Sequence, residues 1–193
     1  GFYLDVIKDR QYTCPRNSIA RRSCQTALYH IIDAMVRWMA PILSFTAQEV
    51  WEAMPGDRSH PFVFAVTTAE IPAGSPSGLQ WPLIQWVKAV VNQALETLRA
   101  AGTIKGSLSA DVTLYAEGEV FQALDALGDE LRFVTITSEA RLLPANQRTA
   151  EAVSDASLPG LWVEVVSVHH AKCERCWHHR SEVGSVSAHP SLC

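Results

Sequence analysis

The sequence predicts an α-helical bundle segment followed by a small α+β domain and a zinc ribbon that is cut short. Three observations predict it. Apolar residues recur at helical spacing up to Gly102, β-branched and aromatic runs follow from Val112, and a Cys-x-x-Cys pair with a later third cysteine lies near the end.

The first residues read as the middle of an amphipathic helix, so the chain is expected to be a piece of a longer polypeptide. After Asn17-Ser18, whose side chains suit a helix cap, Ala20, Cys24, Ala27, Leu28, Ile31, Ile32, Met35 and Trp38 fall at helical spacing. Pro41 lacks an amide hydrogen and should end or kink that helix. Thr46-Ala47-Gln48-Glu49 has capping-box form ahead of Val50, Trp51 and Met54, and this second helix should stop near Pro55-Gly56. From 57 to 82 the prolines and glycines suit neither a long helix nor a central strand, which predicts a connector.

From Leu83, the residues Trp86, Val87, Val90, Val91, Ala94, Leu95 and Leu98 predict a third helix, with Gly102 placed to end it. Val112–Tyr115, Phe133–Ile136 and Leu161–Val166 read as strands, with a helical stretch at Val120 to Leu131. The expected division is therefore 1–56 helical, 57–82 connector, 83–168 helix plus α+β domain, and 169–193 zinc ribbon.

At 193 residues, with 48% hydrophobic and 19% charged residues, the composition is that of a folded globular chain rather than a disordered or membrane one. No apolar run is long enough to cross a membrane and the start lacks signal-peptide character, so a cytoplasmic location is the default expectation. The net charge of −4 argues against a generic polyanion binder, but the charge is unevenly spread. Residues 1–22 carry Lys8, Arg10, Arg16, Arg21 and Arg22 against Asp5 and Asp9, whereas residues 59–168 carry twice as many acids as bases. A run of charge is often only a solvated face, yet arginines at helical spacing can present several donors to one phosphate strand.

Cys173-Glu174-Arg175-Cys176 with Cys193 supplies three quarters of a four-cysteine site, because a Cys-x-x-Cys turn converges two thiolates on one metal. The fourth donor is expected just beyond Cys193 or is supplied by a histidine, His189 being the nearest, with His178 and His179 as further alternatives. Such a zinc is structural, since all its ligands come from protein and none is left open for water. A redox dithiol is the competing reading, but that chemistry favours a helix directly after the first cysteine, and none is predicted. The same loop displays Arg175, Trp177, His178, His179 and Arg180, a mixture of flat rings and cations suited to unpaired RNA bases and phosphates. Phosphate-cradling Gly-rich loops, nucleophile elbows and metalloprotease motifs are all absent, and no catalytic centre is expected.

Phe2–Arg10, Arg21–Tyr29 and Trp38–Trp51 closely resemble the anticodon-binding helical domain of bacterial isoleucyl-tRNA synthetases, and Gly128–Val134 and Lys172–His178 resemble that family's carboxy-terminal domain and zinc module. The resemblance implies a class I ligase that joins isoleucine to its tRNA using ATP. It places the ATP-binding catalytic domain and the editing domain upstream of Gly1, in a monomeric parent enzyme. It further implies that residues 1–56 are the C-terminal part of the anticodon-binding domain, that isoleucine tRNA and the remaining N-terminal domains are the partners, and that Cys173, Cys176 and Cys193 are zinc ligands. A free-standing zinc-ribbon adaptor that binds RNA or protein is the alternative expectation.

Overall fold

The structure, a computed structural model, describes residues 1–56, 63 and 78–193. Most of the expected connector at 57–82 lies outside the described residues. Its last two residues, Trp81 and Pro82, are already the first turn of a helix, where a proline's missing N–H costs no bond. The chain forms two compact units, one of residues 10–75 and one of residues 1–9 with 76–193.

In the first unit, α3 (Ile19–Met39) starts at Ser18, whose hydroxyl accepts the N–H of Arg21 at 3.3 Å. It stops two residues before Pro41, as the missing amide dictates. The helix α4 (Ser44–Ala53) begins earlier than the capping-box pattern suggested. Thr46 lies inside it, and the Ser44 hydroxyl instead donates to the Ala40 carbonyl at 3.1 Å, while Gln48 accepts the Val63 N–H at 3.0 Å. Val36, Ala40, Ala47, Trp51, Met54 and Val63 make the core, flanked by Tyr29, Ile32 and Val50. The apolar face expected of α3 is split: Ile32 and Val36 turn toward this core, whereas Ile31, Met35 and Trp38 are exposed.

The second unit contains α1 (Phe2–Val6), α5 (Trp81–Ala100), β1 (Ala110–Ala116), α6 (Gly118–Asp125), α7 (Leu131–Thr135), β2 (Glu139–Pro144), β3 (Val153–Ser154) and β4 (Leu161–Ser167); α2 (Lys8–Tyr12) runs across the boundary between units. Ile84, Val87, Val91 and Leu95 recur at three and four residues along α5 and are all buried, which gives that helix one apolar stripe. Gly102 ends it at φ +73°, with Gly102 N–H bonded to Arg99 and Thr103 N–H to Leu98, the paired bonds of a Schellman cap. Phe2 and Val6 pack on the same core, Phe2 lying edge-on to Trp81 at 5.9 Å.

The sheet has strand order β2-β1-β4-β3, with β1 and β2 parallel and β4 antiparallel to both of its neighbours. The parallel pair needs a crossover, and α6 and α7 supply it. Val112, Leu114 and Ala116 of β1 face α5 together with Leu161 and Val163 of β4. Phe133–Ile136, expected as a strand, is α7 followed by Ile136 in the left-handed region at φ +59°. Burial of Leu131, Val134 and Thr135, and the Thr135 hydroxyl bonded to the Leu131 carbonyl, outweigh the β-branched propensity. The strand at this point of the chain is β2, which lacks a β-branched run and carries Pro144 at its end, a position open to proline on an edge strand. The helical stretch expected to Leu131 stops at Asp125, and a 3-10 turn at Gly128–Glu130 separates it from α7.

Two outcomes follow from this packing. Leu114 is fully buried at the centre of the sheet, so Leu114→Ala should lower unfolding free energy by about 2–5 kcal/mol in urea titrations. Asp111 on β1 holds a buried carboxylate oxygen with no partner among the described residues, and burial, then the charge of Glu139 on β2, pushes its carboxyl above the usual aspartate range. A raised folded pKa means the native state binds the proton more tightly, so stability falls as pH rises above about 4 through that raised value. Asp111→Asn should therefore melt higher than wild type at neutral pH, with the difference shrinking toward about pH 4.

Candidate functional site

A short hairpin carries the first two cysteines. Lys172 pairs with His179 across an antiparallel bridge, Cys173 N–H donates to the His178 carbonyl at 2.8 Å, and Trp177 N–H donates back to Cys173 at 2.9 Å. These bonds hold Trp177 at φ +67°, a conformation that costs a side-chain-bearing residue roughly 1–2 kcal/mol. Glu174 N–H donates to the Ser191 carbonyl at 3.1 Å and Gly184 N–H to Leu192, which brings the end of the chain beside the hairpin.

The result is that Cys173, Cys176 and Cys193 present three sulfurs all within 4.8 Å of one another, with Cys176 and Cys193 at 3.5 Å. A disulfide needs sulfurs about 2 Å apart. A tetrahedral zinc with Zn–S near 2.3 Å needs them about 3.8 Å apart, so the donor set and the spacing fit that metal. Burial acts to push the Cys173 thiol up, but the backbone N–H groups of Cys176, Cys193 and Arg175 outweigh it and hold the thiol down to about 6. Cys176 is pushed up to about 12 by burial and by its thiol neighbours. Three thiols this close cannot all ionise without a cation between them. The ring of His189 is not in this group of donors, because His189 sits in a turn of its own, its N–H on the Val186 carbonyl and its carbonyl on the Leu192 N–H. No helix follows the Cys-x-x-Cys turn, which disfavours a thioredoxin-like redox pair.

Two contacts dock this hairpin on the rest of its unit, and neither partner was legible in the sequence. His178, expected to meet RNA, is instead turned inward at 3% exposure with Nε2 2.7 Å from Asp9 Oδ2 and its ring edge-on to Phe133. Ser138, fully buried at the start of β2, accepts the His179 N–H on its hydroxyl at 2.7 Å, donates that hydroxyl to the Leu108 carbonyl, and accepts Arg180 Nη1 on its own carbonyl. Arg180 is also engaged with both Glu182 oxygens at 2.8 and 3.2 Å. Nothing local in the pattern could have nominated Asp9, which lies at the other end of the chain.

The remaining candidate cations divide in the same way. Arg21 gives Nη1 to the Cys14 carbonyl at 3.1 Å, Lys8 pairs with Asp5 at 2.9 Å, and Arg10 is half-buried. Arg16 and Arg22 are exposed at and just before the start of α3, and Arg22 borders a shallow cleft with Gln25, Thr26 and Tyr29. Arg175 is exposed on the hairpin, and Trp177 is 61% exposed with the Lys172 ammonium 5.3 Å from its ring centre. A flat ring beside cations can stack on a base while bonding a phosphate.

Residues 1–114 match the family model described as the anticodon-binding domain of tRNA ligase, and residues 172–193 match the zinc finger found in FPG and IleRS. Along its whole length the chain is 54% identical to an isoleucine–tRNA ligase of Pseudomonas aeruginosa, 53% to one of Alcanivorax borkumensis and 50% to one of Nitrosococcus oceani. The chain spans 21% of the length of these relatives. If the cysteine trio holds the metal, the full-length protein should purify with zinc, and Cys176→Ala should bring the zinc measured by atomic emission down to background while the urea midpoint of the sheet core moves little.

Proposed function

Because the chain belongs to the anticodon-binding domain family of tRNA ligases, we propose that it is the tRNA-reading part of an isoleucine–tRNA ligase, which uses ATP to attach isoleucine to its tRNA. The observation that carries this reading is a hairpin whose Cys173 and Cys176 are joined by Cys193 from the end of the chain, and which exposes Arg175 and Trp177 to solvent. ATP binding and the chemistry of aminoacylation belong to a catalytic domain elsewhere in the polypeptide. Similarity along the whole chain to one enzyme class supports this reading over a free-standing zinc adaptor.

The four segments read from the sequence are the functional division we propose: 1–56 for the anticodon stem, 57–82 as connector, 83–168 as scaffold and 169–193 for the anticodon loop. Arg16 and Arg22 take backbone phosphates and so set orientation, while Arg175 and Trp177 test unstacked bases, since phosphate contacts position and base contacts specify. Lys8, Arg10 and Arg21 add to the positive field on the strand, whereas His178 and Arg180 act behind the surface by fixing the hairpin. Cys173, Cys176 and Cys193 hold a structural zinc, with a fourth donor completing the tetrahedron. The metal supplies rigidity to the loop and takes no part in catalysis. The working form is a monomer in the cytoplasm, and none of the described helices is long and apolar enough to cross a membrane.

Trp177→Ala in the full-length enzyme should raise the tRNA concentration needed for half-maximal charging by one to two orders of magnitude, as about 1–3 kcal/mol of stacking is lost. Isoleucine-dependent ATP–pyrophosphate exchange, which needs no tRNA, should stay near wild type. Equal loss of both activities would count against a role in reading RNA.

A further inference from the structure

A cleft of about 580 Å³ opens between the cysteine hairpin and the turn that joins α5 to β1. Its size lies within the ~300–1,000 Å³ of small-ligand sites. Lys172, Trp177 and His179 form one wall, and Lys105, Ser109 and Ser167 belong to the rest of the lining. Among the described residues no aspartate or glutamate lines it, in a chain with 20 acids against 16 lysines and arginines.

The distribution of lysines sharpens this. The chain has four. Lys8 is paired with Asp5, and Lys88 donates to the Val134 carbonyl at 2.8 Å. The other two, Lys105 and Lys172, both border this one cleft, and Lys172 has an aromatic ring rather than an acid beside it. The turn that carries Lys105 is already ordered, because the Ser109 hydroxyl accepts the N–H groups of Lys105 and Gly106 and donates to the Gly106 carbonyl. An ordered cation costs less to use than one on a floppy loop. On the facing wall, His179 Nδ1 donates to the His170 carbonyl at 2.8 Å, which fixes its ring and leaves Nε2 for a ligand.

We propose that this cleft takes one unpaired nucleotide of an RNA strand, its phosphate held between Lys105 and Lys172 and its base against Trp177. The inference rests on the tRNA reading above and adds to it a phosphate site shared by Lys172 of the hairpin and Lys105 of the turn between α5 and β1, apart from Arg16 and Arg22. Stacked bases of a duplex do not fit a single-nucleotide cleft, so the site selects loop nucleotides over stem.

The test uses the zinc-loaded full-length protein and an unmodified isoleucine tRNA transcript, with filter-binding affinities measured from about 50 to about 300 mM KCl. Lys105→Gln and Lys172→Gln should each make the slope of log affinity against log salt shallower, and the double variant should make it shallower by ~0.7 in all, the share of the one phosphate the two lysines hold. Lys105→Arg should restore the slope, and Arg99→Gln, a surface change in the ion pair with Glu96, should leave it unchanged. An unfolding midpoint in urea equal to wild type in every variant, followed on the tryptophans of this unit, excludes misfolding. A double variant with the wild-type slope overturns the cleft while leaving the tRNA reading intact. Failure of the wild-type protein to bind the transcript overturns the tRNA reading, and this inference with it.

Discussion

The apolar stripe of α5 against the mixed sheet is the contact on which the second unit depends. Ile84, Val87, Val91 and Leu95 lie over Val112, Leu114, Leu161 and Val163, and burial of side chains of this size is the largest favourable contribution available to the unit. That contact fixes where α5 ends, and so where the turn with Lys105 begins. It also fixes the start of β2, where Ser138 receives the cysteine hairpin. The cysteine hairpin and the turn that faces it are thus carried by a conventional packed core.

Around this core, polar groups are used for position more than for stability. Ser138 ties two distant segments together, through Leu108 and Ala110 on one side and His179 and Arg180 on the other, from a site with no exposure to water. In such surroundings a missing partner costs more than a formed bond gains, so the set specifies one docking geometry. The His178–Asp9 contact has the same character: it ties the hairpin to the beginning of the chain through a ring that is almost wholly buried. Exposed pairs such as Lys8–Asp5 and Arg99–Glu96 contribute little by comparison.

The hairpin combines two demands that oppose each other. Three sulfurs must be brought close, which crowds groups that repel when ionised, and Trp177 must be held in a left-handed conformation, which is strained. Backbone bonds from Cys173 to His178 and from Trp177 to Cys173 stabilise the strained turn, and a divalent cation would relieve the crowding. An exposed aromatic ring on a backbone-bonded turn is the outcome, and pre-ordering lowers the entropy that any stacking contact with it would cost.

Local features were legible in the sequence because their causes are local. Helical spacing located α3 and α5, Ser18 and Gly102 cap them as their chemistry requires, the β-branched run at Leu161–Val166 is β4, and the cysteine spacing brought out the sulfur cluster. What depended on distant partners was not legible. Val134 and Thr135 have strand propensity but lie in a helix because the core buries them there, and β2 forms with little propensity because β1 offers it a parallel neighbour. His178 looked like a surface ligand until Asp9 and Phe133 enclosed it, and Lys105 and Lys172 share a cleft only because the sheet brings their two turns together. Periodicity, caps and ligand spacing are short-range and written in the chain, whereas burial and charge pairing are decided by which segments the fold makes neighbours.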